Sequence, residues 1–474
     1  MVVYQVYPRS FQDSDGDGVG DLPGITARLD HLAWLGVDAI WLSPIYPSPM
    51  ADGGYDVADY TAVDPRFGTL ADVDALIERA HALGLKILLD VVPCHTSIEH
   101  PWFRDHPERY LWSPVDGPPN NWRATFGRGA WSPDPDGRGW YLHSFYPEQP
   151  DLDWRHPDVA SEVGAVLAWW RARGVDGFRL DALQQLVKDR ELRDDPLATE
   201  PFPFPQDAGY GALEHRHSSN APDTPVALAA LRAGAGEDAF LVGEVFLPTA
   251  QLGPYLESLD AAFCFELFFS AWDAGALATA IDHAAREGSP AWVLANHDFP
   301  RLATRVGADH VRAAALLLLT LPGVAFIYQG DEIGQEDGPR LDPTHAGHDR
   351  AGRDACRRPV QWDASPAGGF TTGTPWLPPL DPGRRNVAAQ REDPASLLHL
   401  YRALLAARRE LDGPIEDLRS QDGVLSFRRG GHLIAVNTGP RARPLRHSGR
   451  VVVATHAAAA NGDLPGGAAV LLAV

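Results

Sequence analysis

Three short apolar runs of this chain close on residues that can hold, give up or attack with charge. Gly177-Phe178-Arg179-Leu180-Asp181-Ala182 sets an arginine and a carboxylate two residues apart, on one face if the run is extended. Phe240-Leu241-Val242-Gly243-Glu244 ends in a second carboxylate. Ala291-Trp292-Val293-Leu294-Ala295-Asn296-His297-Asp298 ends in a third, beside a histidine. A charge at the end of an apolar strand is costly unless it is paired or used. Asp181, Glu244 and Asp298 are thus the candidate catalytic residues, with a set of salt-bridged structural carboxylates as the alternative.

The elements that must position them alternate along the chain. Apolar runs suited to strands lie at 2–6, 39–42, 85–92, 174–180, 240–245, 261–267, 291–295 and 323–329. Helical spacing fills the intervals: Val73, Leu76, Ile77, Ala80 and Leu83 precede Gly84, and Val163, Val166, Leu167 and Trp170 precede Gly174. Eight strands with intervening helices predict an α/β fold, a (β/α)8 TIM barrel, whose active site forms at the C-terminal ends of the strands. The barrel is expected over 1–95 and 155–410. Residues 96–154, rich in Pro, Gly, Trp and Asp, are too long for an ordinary loop and predict an inserted subdomain after strand 3. A second irregular stretch, 334–393, follows strand 8. Short strand-like runs at 424–428, 432–437, 450–455 and 468–474 predict a C-terminal β-sandwich over 411–474.

These segments together resemble glycoside hydrolase family 13, the α-amylase superfamily, on its α-glucosidase and oligo-1,6-glucosidase side. The resemblance is carried by Val3-Tyr4-Gln5-Val6-Tyr7-Pro8-Arg9-Ser10-Phe11, Gly54-Tyr55-Asp56-Val57-Ala58-Asp59-Tyr60, Asp90-Val91-Val92-Pro93-Cys94-His95, Gln149-Pro150-Asp151-Leu152 and Arg353-Asp354-Ala355-Cys356-Arg357, with the three strand ends. It implies Asp181 as nucleophile, Glu244 as acid/base and Asp298 as the group gripping sugar hydroxyls. A glycosidic bond breaks through an oxocarbenium-like transition state, which needs one carboxylate at the anomeric carbon and one acid at the leaving oxygen. Arg179 should pair with Asp181 and hold it ionised, while Glu244 beside Val242 and Phe246 is placed for a raised pKa. In a retaining enzyme the two carboxyl groups should lie about 5–5.5 Å apart.

The resemblance extends to binding residues. His95 and His297 would hydrogen-bond the sugar being cleaved, and Asp52 and Tyr55 would close the pocket and stack on it. Arg353 would pair with Asp52 or reach the glucose, ordinary loop pairing being the rival. Phe145 is a pocket wall or plain core. Ala182, next to the nucleophile, faces the leaving group; in the resembling enzymes Val there accompanies α-1,6 cleavage and smaller residues α-1,4. Cys94 stands where the family's motif has Asn, which puts in doubt the calcium that this Asn helps hold in amylases. No activating base is evident beside Cys94, so it reads as a buried filler.

A different acidic loop, Asp13-Ser14-Asp15-Gly16-Asp17-Gly18-Val19-Gly20-Asp21, imitates an EF-hand but has Gly24 where the twelfth position needs Glu. A structural Ca²⁺ held by Asp13, Asp15, Asp17, Asp21 and the Val19 carbonyl is expected, a metal-free acidic turn being the alternative. No organic cofactor is expected.

The formal charge of −22 over 474 residues argues against nucleic acid, whose phosphates need Lys and Arg. Cys94, Cys264 and Cys356, odd in number and scattered, suggest reduced thiols and a cytoplasmic protein. The first strand begins within a few residues of Met1, which leaves no room for a targeting segment, and the apolar stretch 311–321 is too short to span a bilayer. The reading is a retaining exo-acting α-glucosidase for short α-glucosides, preferring maltose-type bonds, with transglucosylation as a side activity, a monomer or homodimer. Its rivals are a glucosyltransferase or isomerase acting on sucrose, maltose or trehalose, and a non-catalytic glycosidase-like protein that would have lost its carboxylates.

Overall fold

The computed structural model describes every residue except 127, 203, 206, 289, 343–348 and 446–448, so part of the 334–393 stretch and of the C-terminal segment lies outside the described residues. The barrel strands are β1 Val2–Val6, β2 Ala39–Leu42, β3 Lys86–Val91, β4 Gly177–Leu180, β5 Phe240–Gly243, β6 Ala261–Phe263, β7 Pro290–Val293 and β8 Val324–Tyr328. They pair in parallel in chain order, and β1 closes on β8. The protein is a (β/α)8 barrel, with Lys86 exposed at the N-terminal end of β3. The strand expected over 261–267 stops early, because the chain turns at Cys264 into a short helix, Phe265–Phe269.

Register decides which charges meet. Asp90 on β3 lies opposite Arg179 on β4, and Arg179 lies opposite Val242 on β5, two residues before Glu244. The β4–β5 approach leaves no space for a side chain at Gly177: a Cβ there would lie 2.1 Å from the Phe240 carbonyl oxygen.

Capping residues set the helix ends. Asp21 accepts from Gly24 N–H at the start of α1 (Leu22–Leu35), and Gly36 ends it in the left-handed region at φ 100°. Thr69 and Asp72 form a capping box on α2 (Leu70–Ala82), which buries Val73, Leu76, Ile77 and Ala80. Helix α3 (Pro157–Ala172) buries Val159, Val163, Val166, Leu167 and Trp170. The apolar helix Val311–Thr320 is buried almost all round because it packs on helix Leu397–Arg408 on one side and the C-terminal sheet on the other. Among the described residues no helix is long and apolar enough to cross a membrane.

Between β3 and β4 the chain builds a small unit with its own core, Trp122, Ala130, Trp131 and Leu142, and a hairpin of Trp131–Pro133 with Trp140–Leu142. The buried Lys188 ties this unit to the barrel: its ammonium lies 3.1 Å from Asp151 Oδ2 and donates to Gln185 Oε1 at 3.0 Å. The C-terminal segment is an antiparallel sheet in the order Glu416–Gln421, Val424–Arg429, His432–Asn437, Ala469–Ala473, Arg450–Ala454, with a two-stranded ribbon whose Leu464 packs on it.

Candidate active site

Four charged side chains meet at the C-terminal ends of β3, β4 and β5. Arg179 Nη1 donates to Asp90 Oδ1 at 2.8 Å and to Asp181 Oδ1 at 2.6 Å, while its Nη2 lies 2.8 Å from Glu244 Oε2. All four are buried. The planar guanidinium can face three acceptors at once because its donors fan outward in a fixed fork. Trp41 lies under it, the guanidinium carbon 4.9 Å from the ring centroid, and Tyr55 5.6 Å away. Asp90 takes two further bonds, from Tyr55 OH at 2.8 Å and Trp41 Nε1 at 3.1 Å.

Three buried carboxylates share one cation. Burial pushes the Asp181 carboxyl well above its ordinary range; Arg179 opposes this, while Glu244 and Asp90 push the same way. Burial likewise raises Asp90, to about 6. Arg179 thus lowers Asp181 as expected, but burial and the neighbouring carboxylates work against it, because the same guanidinium also serves Asp90 and Glu244.

The backbone after Asp181 is unusual. Ala182 sits in the left-handed region at φ 46° and ψ 44°, and its N–H donates to Glu244 Oε2 at 3.3 Å. Oε2 of Glu244 thus faces both the Arg179 guanidinium and the Ala182 N–H. A left-handed non-glycine residue beside reacting groups is strain held by its surroundings.

Asp298 occupies the far wall. Its Oδ1 accepts from Arg357 Nη2 at 3.0 Å and Arg353 Nη1 at 3.2 Å. Burial would raise this carboxyl, but His297, Arg353 and Arg357 outweigh it and hold Asp298 far below its usual range. It stays ionised. His297 is sandwiched between Tyr55, 5.3 Å away, and Tyr7, 5.8 Å away. Gln5 Nε2 lies 2.8 Å from His297 Nδ1, so with the amide donating, the ring proton is on Nε2, which makes no hydrogen bond and lies 3.4 Å from Asp298 Oδ2. Burial depresses His297 to about 3, and the ring is neutral.

Near β3, Gln149 Nε2 donates to Asp52 Oδ2 at 2.9 Å and lies 2.9 Å from His95 Nε2. His95 is lowered by burial and its Nδ1 is 2.9 Å from Cys94 Sγ. Phe145 is half-buried with its ring 5.2 Å from that of His95. Arg353 Nη2 donates to both Asp52 and Asp349, so the expected pairing with Asp52 coexists with the loop pairing that was its rival. Every candidate site residue read from the strand ends and pocket motifs thus falls in one connected cluster.

Other members escaped the sequence reading. Asp90, Gln149 and Arg357 lie inside the quoted motifs but drew no role, although Asp90 repeats the signal of a carboxylate closing an apolar strand. Trp41 and Asp349 carry no local signal. Away from the site, carboxylate oxygens of Asp13, Asp15 and Asp21 lie within 4.8 Å of one another. Asp17 is not in that group and accepts from Val19 N–H at 2.7 Å.

A closed parallel barrel with paired carboxylates at its C-terminal mouth defines a class of enzyme that works by acid–base and covalent chemistry. The model of the α-amylase catalytic domain matches residues 5–414. A probable α-glucosidase of Rhizobium meliloti (strain 1021) is 42% identical over 90% of this chain and 86% of that protein. The oligo-1,6-glucosidase of Parageobacillus thermoglucosidasius is 36% identical over 87% and 83%. Among solved structures, the α-glucosyl transfer enzyme XgtA aligns with a TM-score of 0.91 at 36% identity, over 99% of this chain and 98% of that one. The chain belongs to the α-amylase catalytic-domain family and is a glycoside hydrolase.

The guanidinium at the centre gives the first prediction. Arg179→Lys replaces a fork by a point charge that cannot face Asp90, Asp181 and Glu244 together. Urea unfolding should report a loss on the order of 3 kcal/mol, and glycoside turnover should fall at least ~100-fold. Parent-like stability and turnover would contradict this role.

Proposed function

We propose that the protein is a retaining, exo-acting α-glucosidase that hydrolyses short α-glucosides, prefers maltose-type bonds and transfers some glucose to sugar acceptors. The observation that carries the reading is the pairing of Asp181 Oδ1 and Glu244 Oε2 with one guanidinium, at 2.6 Å and 2.8 Å. Retaining glycosidases keep the two carboxyl groups about 5–5.5 Å apart, whereas inverting ones separate them by about 6.5–9.5 Å to admit a water. Two carboxyl groups that share one planar fork are held close together, which supports the retaining arrangement.

Asp181 then attacks the anomeric carbon while Glu244 protonates the leaving oxygen. The bond to the aglycone breaks and a glucosyl ester forms on Asp181. Glu244, now ionised and steadied by Arg179 and Ala182, takes a proton from water, whose oxygen displaces Asp181 and restores the α configuration. A sugar hydroxyl in place of water gives transfer. Asp298, held ionised by its arginines, accepts from ring hydroxyls, and the neutral His297 donates through Nε2. His95, Asp52, Tyr55, Arg353 and Phe145 complete the pocket in this reading.

A second reading, glucosyl transfer or sucrose isomerisation, draws on the likeness to XgtA and to the trehalulose synthase MutB of Pseudomonas mesoacidophila MX-45, at a TM-score of 0.89 and 30% identity. It uses the same residues and differs only in what reaches the glucosyl ester. Product analysis by NMR on maltose, isomaltose, nigerose, kojibiose, sucrose and trehalose separates the two.

The N-terminal loop fits a structural Ca²⁺ through Asp13, Asp15 and Asp21, with the Val19 carbonyl and Asp17 as further donors. Burial would raise Asp13, but hydrogen bonds from Thr371 and from the N–H groups of Gly16, Gly18 and Asp15 keep it lowered and anionic. The ion would offset charge and supply no chemistry. Three buried free cysteines favour a cytoplasmic setting.

Asp181→Asn and Glu244→Gln should each cut turnover on the order of 10⁴-fold with the fold intact, and the first sugar released by the parent should be α-glucose. Parent-like rates, or initial β-anomer, would refute the assignment. Exhaustive chelation should lower the melting temperature while leaving the chemistry of the remaining folded enzyme unchanged; an unaltered melting temperature with no bound metal detected would remove the calcium. Ala182 leaves room beside the leaving sugar, where a methyl or two is worth about 1–3 kcal/mol. Ala182→Val should shift the kcat/KM ratio toward isomaltose, at some loss of stability because a β-branched residue resists φ 46°. A parent that already cleaves isomaltose tenfold better than maltose contradicts this reading.

A further inference from the structure

The reacting groups are almost sealed. Asp181 is 6% exposed and Glu244 7%, and both sit on the Arg179 guanidinium. A hexose reaches them past the wall that surrounds them. Two arms of the chain meet over the sugar-gripping side: the insertion around 145–149, and the segment 349–357 that follows β8. Each arm delivers gripping residues. Gln149 holds Asp52 and His95, and Arg353 holds Asp298 and Asp52.

One residue from those groups, the arms are fastened together. Arg350 Nη1 and Nη2 donate to Glu148 Oε1 and Oε2, both at 3.1 Å, and Nη2 also donates to the Ala51 carbonyl at 3.1 Å. The same guanidinium lies 3.9 Å from the centroid of Tyr146, which stacks on Phe126 at 4.3 Å. Phe126 in turn approaches Phe145 at 6.2 Å, the ring beside His95. The join spans 202 residues of sequence, and both partners are near 40% exposed. A half-exposed pair of this kind is strong enough to hold a loop and weak enough to be released thermally or by salt.

We propose that the Arg350–Glu148 pair, with the Tyr146 ring under the guanidinium, is a latch that retains the glucosyl unit and sets how fast glucose leaves. Neither residue touches the reacting atoms, so both are positioning residues. The latch holds Gln149 and Arg353 where Asp52, His95 and Asp298 can grip the sugar. Opening it separates the two arms and frees the product. The inference rests on the α-glucosidase reading.

The test is steady-state kinetics with 4-nitrophenyl α-glucoside and glucose as product inhibitor. It uses the full chain, Glu148→Gln, Arg350→Gln and the double exchange Glu148→Arg with Arg350→Glu. Each single variant should raise KM and the glucose inhibition constant about threefold to tenfold, with kcat equal to or above that of the parent and the melting temperature within a few degrees. The double exchange should return both constants toward parent values, which a merely structural role would not do. Raising NaCl from about 0.05 to 0.5 M should increase the parent's glucose inhibition constant and leave that of Glu148→Gln unchanged. Unchanged KM and inhibition constants in both single variants, or a double exchange no better than the singles, overturns the latch. An inactive parent would instead overturn the α-glucosidase reading, so the two failures are distinguishable.

Discussion

One guanidinium holds the catalytic end of this barrel together. Arg179 is the common partner of Asp90, Asp181 and Glu244, and without it three buried carboxylates would crowd one site. Breaking a buried charge set by removing one member is far costlier than never having built it. The surrounding design follows from that constraint. β3, β4 and β5 must keep the register that sets Asp90 beside Arg179, and Gly177 must stay bare for β4 and β5 to approach. Trp41 and Tyr55 present ring faces to the cation while their polar ends bond Asp90, so the aromatic walls and the electrostatics are one arrangement.

A second centre answers the first across the pocket. Arg353 and Arg357 face Asp298, and Asp349 and Asp52 balance them. The carboxylates of the two centres are driven in opposite directions: Asp181 is pushed up by burial and by its carboxylate neighbours, and Asp298, despite burial, is pushed down by the positive groups around it. One acidic group is thereby prepared to hold a proton and the other to stay bare, although both are aspartates at the ends of barrel strands. Environment, not residue type, divides the labour.

Much of this was legible in the chain. The strand ends carried the candidate carboxylates because short apolar runs stop abruptly at charge, and helix spacing around Val73 or Val163 fixed the alternation. The upward push on the Asp181 carboxyl was not legible. Sequence shows Arg179 two residues away but not that Asp90 and Glu244 converge on the same fork, since that depends on register between strands far apart in sequence. Asp90 itself was visible as a motif residue, and its role appears only once β3 lies beside β4. Strand Glu416–Gln421 gave no signal because its side chains are polar and mostly exposed, and only pairing with Val424–Arg429 makes it a strand. The acidic loop read as five donors, but that Asp17 Oδ1 accepts from Val19 N–H shows only in the folded loop.

The scarcity of lysine has a practical consequence. The chain has two, Lys86 and Lys188. Lys188 is spent inside, where its ammonium bonds Asp151 and Gln185. Lys86 stands exposed at the opposite end of β3 from the catalytic mouth. Reagents that seek lysine amines therefore find one accessible side chain, at the bottom of the barrel. A dye, polymer or solid support joined there would hold every molecule by the same point, with its catalytic face turned outward to the solution.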